Sequence, residues 1–181
     1  YTVTATLGTT SATRSGVTAK TGDFALTVPE NGGWLGALSF GSVMQKTNKN
    51  FIDYPLQTSF DPNTHDYRVH FAQDKTTAYA WAALNTAAGL PSNATITARY
   101  VATNGKQKSV KITGGNKNGA SLAQLFNANT PPQPVSIVVS YTQGGVTYTQ
   151  TYAIALETTP SLKSLTVTAD GKNAVLAPAF S

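Results

Sequence analysis

Val135-Ser136-Ile137-Val138-Val139-Ser140-Tyr141, then Gly144-Gly145, then the run from Val146 to Ile154, decides the fold of this chain. Apolar and polar residues nearly alternate through the first run, and β-branched Val, Ile and Thr favour the pleated backbone. Two adjacent glycines supply the positive φ angles that a tight hairpin needs. The same period of two recurs outward from this hairpin, in Tyr1 to Leu7, Thr95 to Tyr100 and Leu165 to Ala169. Thr on one side and Val or Leu on the other describes strands with one wet face and one buried face. Asn31-Gly32-Gly33, Asn104-Gly105, Asn118-Gly119 and Asp170-Gly171 punctuate the strands as turns.

Helix signals are weak by comparison. Thr77 to Ala88 holds good helix formers, with Gly89 placed to cap them, but it also reads as a strand with Tyr79 and Trp81 on one face and Ala on the other. Its β-rich flanks favour the strand. Ser121 to Phe126 reads as one helical turn or a loop.

A second pattern is superimposed on the alternation. Leu35, Leu38, Leu56 and Phe60 are matched by Leu162, Leu165, Leu176 and Phe180, and lead-ins at Phe24 to Val28 and Tyr152 to Leu156 precede the two copies. Such self-similarity is the footprint of a tandem array. It divides the chain into residues 1–33, the closing part of a repeat; residues 34–159, a complete unit; and residues 160–181, the opening strands of a further repeat. Thr158-Thr159-Pro160-Ser161 and Pro29-Glu30-Asn31-Gly32-Gly33 are the linkers.

Leu165-Thr166-Val167, a turn, then Leu176-Ala177-Pro178-Ala179-Phe180-Ser181 resembles the opening of the bacterial cadherin-like β-sandwich repeat. Leu56 to Phe71 is similar to the same opening with its Tyr67-Arg68-Val69 continuation, and Thr151 to Leu156 to the closing strand. The resemblance implies an all-β, Ig-like β-sandwich, with partial sandwich repeats at both termini and an insertion around residues 72–135. It also implies a secreted or bacterial cell-surface protein with a spacer, stalk or adhesive role. It carries no catalytic residues and no cofactor, and the acidic linkers that bind calcium in true cadherins are missing.

Read from end to start, Leu176 to Ser181 followed by Tyr1 to Ala5 restores the uninterrupted motif. Three readings stay open. The ends meet within one chain as a permuted domain; the tail of one chain docks on the head of the next and builds a filament; or the chain was excised from a longer protein. The second reading makes Tyr1, Val3, Leu165, Val167, Leu176 and Phe180 strand-exchange contacts, and makes other copies of the chain, or neighbouring repeats, its partners.

Composition narrows the chemistry. The 181 residues include no cysteine, which excludes disulfides, thiolate metal sites and a cysteine nucleophile. Charged residues are 12%, about half the usual share, and the resulting Thr-rich surface suits an extracellular β-protein. No apolar run is long enough to span a membrane, and no leader of the secretory type is evident. Of 13 basic residues giving a net charge of +5, Lys106, Lys108, Lys111 and Lys117 form the dense stretch. Without aromatic interleaving it reads as a guarded sheet edge, not a nucleic-acid site.

Asp61-Pro62-Asn63-Thr64-His65-Asp66 is strong turn chemistry, loosely spaced for calcium. His65 and His70 have no nucleophile elbow to serve. Glu30 and Glu157 occupy equivalent places in the repeat, so a structural role explains them better than acid–base work. Gly114 to Gly119 lacks the helix of a phosphate cradle. Trp81, Tyr141 and Tyr148 are the candidate ligand-facing aromatics for glycan stacking. The expectation is a non-catalytic structural module, with a carbohydrate- or host-surface-binding module as the alternative.

Overall fold

The computed structural model describes residues 2–15, 32–72, 76–113, 117–126, 133–159, 168–169 and 172–173. Its strands are β1 (Thr2–Leu7), β2 (Thr10–Ser15), β3 (Leu35–Gly41), β4 (Asp53–Tyr54), β5 (Asp66–Ala72), β6 (Ala78–Leu84), β7 (Thr95–Val101), β8 (Gln107–Ile112), β9 (Ala120–Leu122), β10 (Val135–Gln143), β11 (Val146–Thr159), β12 (Thr168–Ala169) and β13 (Lys172–Asn173). The protein is all-β, and the described residues include no α-helix. Thr77 to Ala88 splits between strand β6 and one 3-10 turn at Thr86–Ala88, capped by Asn85 and closed by Gly89 at φ 62°. The Ser121 to Phe126 stretch finishes β9 and turns, with Gln124 at φ 58°.

Two sheets face each other. The larger runs β1-β2-β11-β10-β7-β8, and the smaller runs β4-β3-β6-β9. Strand β11 is long enough to hold two neighbours on one side. Its first half pairs antiparallel with β2 through Val146 to Gln150, and its second half pairs parallel with β5 through Ala153 to Thr159. With β3 in one sheet and β5 in the other, the segment from Leu35 to Ala72 contributes to both layers of the sandwich. The stretch 72–135, read from the sequence as carrying an insertion, supplies β6 and β9 to one sheet and β7 and β8 to the other. These are framework strands, not an appendage.

The hairpin that decided the fold forms as read. Gln143 faces Val146, and Gly144 and Gly145 sit at φ 58° and 75°, the twist that matches right-handed strands. Leucines three apart on a strand would ordinarily point to opposite faces. In β3 the register slips between Leu35 and Ala37, and this bulge returns Leu38 to the face of Leu35, so that both are buried. The Leu-x-x-Leu motif is thus a bulged edge of the core. Leu56 and Phe60 pack against the same core, with Phe60 stacked on Tyr67 at 5.6 Å.

Ile137, Val139, Ile154, Val69, Phe40, Phe71, Leu122 and Phe126 fill the space between the sheets. Each such side chain contributes about 1.5–3 kcal/mol on leaving water. Gly33 closes one end: a Cβ there would lie 1.6 Å from the Pro62 carbonyl oxygen, so only glycine permits this approach. The Gly33 N–H donates to Asn63 Oδ1 at 3.0 Å, and its carbonyl accepts from Asn85 Nδ2 at 2.7 Å.

Candidate functional site

The two outer strands of the large sheet frame the candidate site. On one side, β1 and β2 fold back through Gly8 at φ 56°, with Leu7 facing Thr10. Thr2, Thr4 and Thr6 lie on the outer face, where Thr4 Oγ1 meets Thr13 Oγ1 at 3.0 Å and Thr2 Oγ1 donates to Ser15 Oγ at 3.1 Å. The hydroxyl rows continue inward across the sheet through Ser11 and Thr149, then Thr142 and Thr147. On the inner face of β1, Val3 and Ala5 are only half-buried and Leu7 is 51% exposed. The apolar row of β1 therefore lacks a full cover among the described residues.

A buried polar junction fastens this hairpin. Gln150, 3% exposed, accepts from the Trp34 N–H at 2.6 Å and donates through Nε2 to Thr10 Oγ1 at 3.0 Å. The Tyr152 hydroxyl lies 2.8 Å from Gln150 Oε1 and 3.1 Å from the Pro62 carbonyl, and accepts from the Leu35 N–H at 3.0 Å. Burial pushes the Tyr152 phenol above its ordinary pKa, partly offset by its hydrogen bonds to the backbone at Leu35 and Trp34. Three separate segments, at Thr10, at Trp34–Leu35 and at Pro62, meet at two side chains of β11. Their satisfaction is what makes a buried polar cluster tolerable. The local alternation puts Gln150 in phase with Val146, Tyr148, Tyr152 and Ile154, a polar residue on the apolar face, but the distant partners that satisfy it were not legible from the sequence.

The opposite edge is β8. Lys108 and Lys111 lie on it, Lys106 in the turn before it, and Val110 and Ile112 face the core. This is the guarded edge expected for the lysine stretch.

The aromatic candidates are mostly covered. Tyr141 is 9% exposed, stacks on Tyr148 at 4.9 Å and tilts against Trp34 at 5.3 Å. They face each other across the β10–β11 hairpin and close the end of the core, which corrects the expectation that Tyr141 faces a ligand. Burial, and then the neighbouring Tyr148, raise the Tyr141 pKa. Trp81 is 7% exposed, with Phe51 edge-on at 5.9 Å and Lys46 Nζ 5.0 Å from the ring centroid. It too lacks an open ring face, because the Lys46 chain lies over it.

Asp61 Oδ1 accepts from the Asn63 N–H at 3.0 Å, so this carboxylate organises its own turn. His65 lies against Tyr152 at 4.7 Å between ring centres. His70 reaches Glu157 at 3.2 Å, and Arg68 reaches the other Glu157 oxygen at 2.6 Å, across the β5–β11 pair. Among the described residues no group of three His, Asp or Glu is placed to hold a metal ion, and no helix is long and apolar enough to cross a membrane. Tyr1, Glu30, Leu165, Val167, Leu176 and Phe180 lie outside the described residues, and of the strand-exchange candidates only Val3 is placed. Comparison with known proteins finds no matching family model, no matching curated protein and no matching solved structure.

Proposed function

We propose that this chain is a non-catalytic structural module of a bacterial extracellular or cell-surface protein, of the cadherin-like sandwich kind, whose copies join through strand addition at β1. One observation carries the reading. Among the described residues the large sheet has a lysine-guarded edge at β8 and an uncharged edge at β1, where the apolar row Val3, Ala5, Leu7 is half-covered. An edge strand presents unpaired N–H and C=O groups, and proteins that must stay apart blunt such edges with charge. Here one edge is blunted and the other is not. The added strand comes from residues 160–181 of a neighbouring copy, whose Leu165-Thr166-Val167-Thr168-Ala169 alternation complements that of β1. The cysteine-free, Thr-rich, weakly charged composition supports an extracellular setting.

Sedimentation velocity over a concentration series tests the proposal. The intact chain forms linear multimers, and deletion of residues 160–181 leaves monomers. Thr4→Pro, which removes a backbone donor from the outward side of β1, also leaves monomers while β3 to β11 stay folded. An intact chain that remains monomeric at every concentration overturns the reading.

A further inference from the structure

Away from β1, three adjoining depressions of about 570, 420 and 230 Å³ follow the line where the end of β8 meets the outer face of β3 and β6. They share walls. Lys111 and Thr113 line the first and second, and Thr113 and Asn118 line the second and third. Together they make one groove. Lys46, Lys111 and Lys117 stand along it, and none of its described lining residues is acidic. Between the lysines the walls carry hydroxyl and amide groups, Ser39, Asn93 and Thr113 among them.

The narrowest depression has the most specific chemistry. Ser39 and Trp81 face each other across the β3–β6 pair on the outer side of the small sheet. Lys46 Nζ donates to Ser39 Oγ at 2.7 Å and hangs 5.0 Å above the indole ring. Gln45 Nε2 donates to Asn118 Oδ1 at 3.2 Å and holds the far wall. Against the indole edge lies Gly119, where a Cβ would stand 2.6 Å from the ring. Glycine is what lets the chain pass so close. The indole Nε1 is buried and has no hydrogen-bond partner among the described residues. A buried donor without an acceptor is uncommon and costly; the Trp34 indole in the core shares this state, but the Trp81 indole borders an open depression.

We infer that this groove binds an acidic glycan, a chain of sugar rings bearing carboxylates. The three lysines pair with successive carboxylates, while the hydroxyl and amide walls exchange hydrogen bonds with sugar hydroxyls. One ring occupies the depression at Trp81. There the Lys46 chain swings from the indole to the carboxylate, uncovering an apolar ring face for the sugar and freeing Nε1 to donate to a sugar oxygen. A nucleic acid fits less well, because Trp81 is the single aromatic among the described lining residues, where successive bases need successive stacking partners. The inference is independent of strand addition at β1, since the groove lies wholly within β3 to β9.

Isothermal titration of the full chain at low salt tests it, with hexagalacturonate, neutral maltohexaose and a deoxythymidylate dodecamer as probes. Hexagalacturonate binds saturably, weakens as salt is added, and quenches the fluorescence of Trp81. Maltohexaose and the dodecamer bind at least tenfold more weakly. Lys46→Gln, Lys111→Gln and Lys117→Gln each lower affinity about twofold to fivefold, and the triple variant lowers it more than tenfold. Lys106→Gln, in the turn at the far end of β8, leaves it unchanged. Trp81→Phe retains the fold, checked by its melting curve, and abolishes the quench. No hexagalacturonate binding, equal binding of the dodecamer, or binding indifferent to the three lysine changes would each overturn the inference.

Discussion

Strand β8 ends the large sheet with Val110 and Ile112 turned into the core and two lysines on the strand. Strand β1 ends it on the other side with Val3 and Ala5 half-buried, Leu7 exposed and no charge in six residues. The two strands have equal length, and among the described residues each pairs with one neighbour. What differs is the source of their hold. β8 is held by its ladder to β7 and, at its last residue, by burial of Ile112 between the sheets, a non-directional contribution that β1 lacks. β1 is held by its ladder to β2, a row of surface hydroxyl contacts and, one strand in, the Gln150–Thr10 hydrogen bond. A strand held by directional polar contacts can accept a further strand without rebuilding a core. A strand held by burial belongs to the domain it closes.

The largest effect expected from this contrast is at Ile112. Ile112→Ala costs about 3 kcal/mol of global stability, read by urea denaturation, because it opens a cavity between the sheets. Val3→Ala, the matching change on β1, costs well under about 1 kcal/mol, since Val3 is half-buried. Equal costs at the two positions would break the comparison.

Gln150→Ala comes next, at about 2 kcal/mol, because it strips acceptors from the Trp34 N–H and Tyr152 hydroxyl and a donor from Thr10. Its signature is local. Hydrogen exchange rises first in β1 and β2, while the amides of β7 and β8 keep their protection. Uniform exchange across the sheet would show that the hairpin is not a separately fastened unit.

Alkaline pH tests both ends at once. Burial raises the phenolic pKa of Tyr152 under the hairpin and of Tyr100 on β7, beside β8. The folded chain holds these protons more tightly than the unfolded chain. The stability they contribute is therefore intact below the ordinary tyrosine value of about 10 and is lost as pH rises past it. Thermal melts from neutral to strongly alkaline pH follow this, and Tyr152→Phe and Tyr100→Phe each flatten the decline. A melting temperature that rises above that pH contradicts the assignment.

The smallest effect on folding, within about 0.5 kcal/mol, is expected for Lys108→Thr with Lys111→Thr, a half-buried and an exposed position of β8. Removing the guard nevertheless makes β8 resemble β1, and light scattering shows new self-association through the second edge.

The residues themselves determined the strands, because alternation is a local property: each pleat turns successive side chains to opposite faces, and a glycine pair sets a turn whatever surrounds it. Val135 to Ile154 could be read as a hairpin for this reason, and the lysine stretch as a guarded edge. Pairing between distant segments has no local signature, and the tertiary structure alone decided it. It set β5 parallel beside β11, and it made four framework strands of a stretch read as an insertion. The β3 bulge that buries both leucines of Leu-x-x-Leu depends on the register with β6. Thr10 and Gln150, 140 residues apart, became partners. Lys46, Lys111 and Lys117, scattered along the chain, came to line one groove because β8 ends where β3 and β6 turn their outer face to it. Such proximities follow from the free energy of the whole sandwich, in which burial of the core outweighs the preference of any single segment.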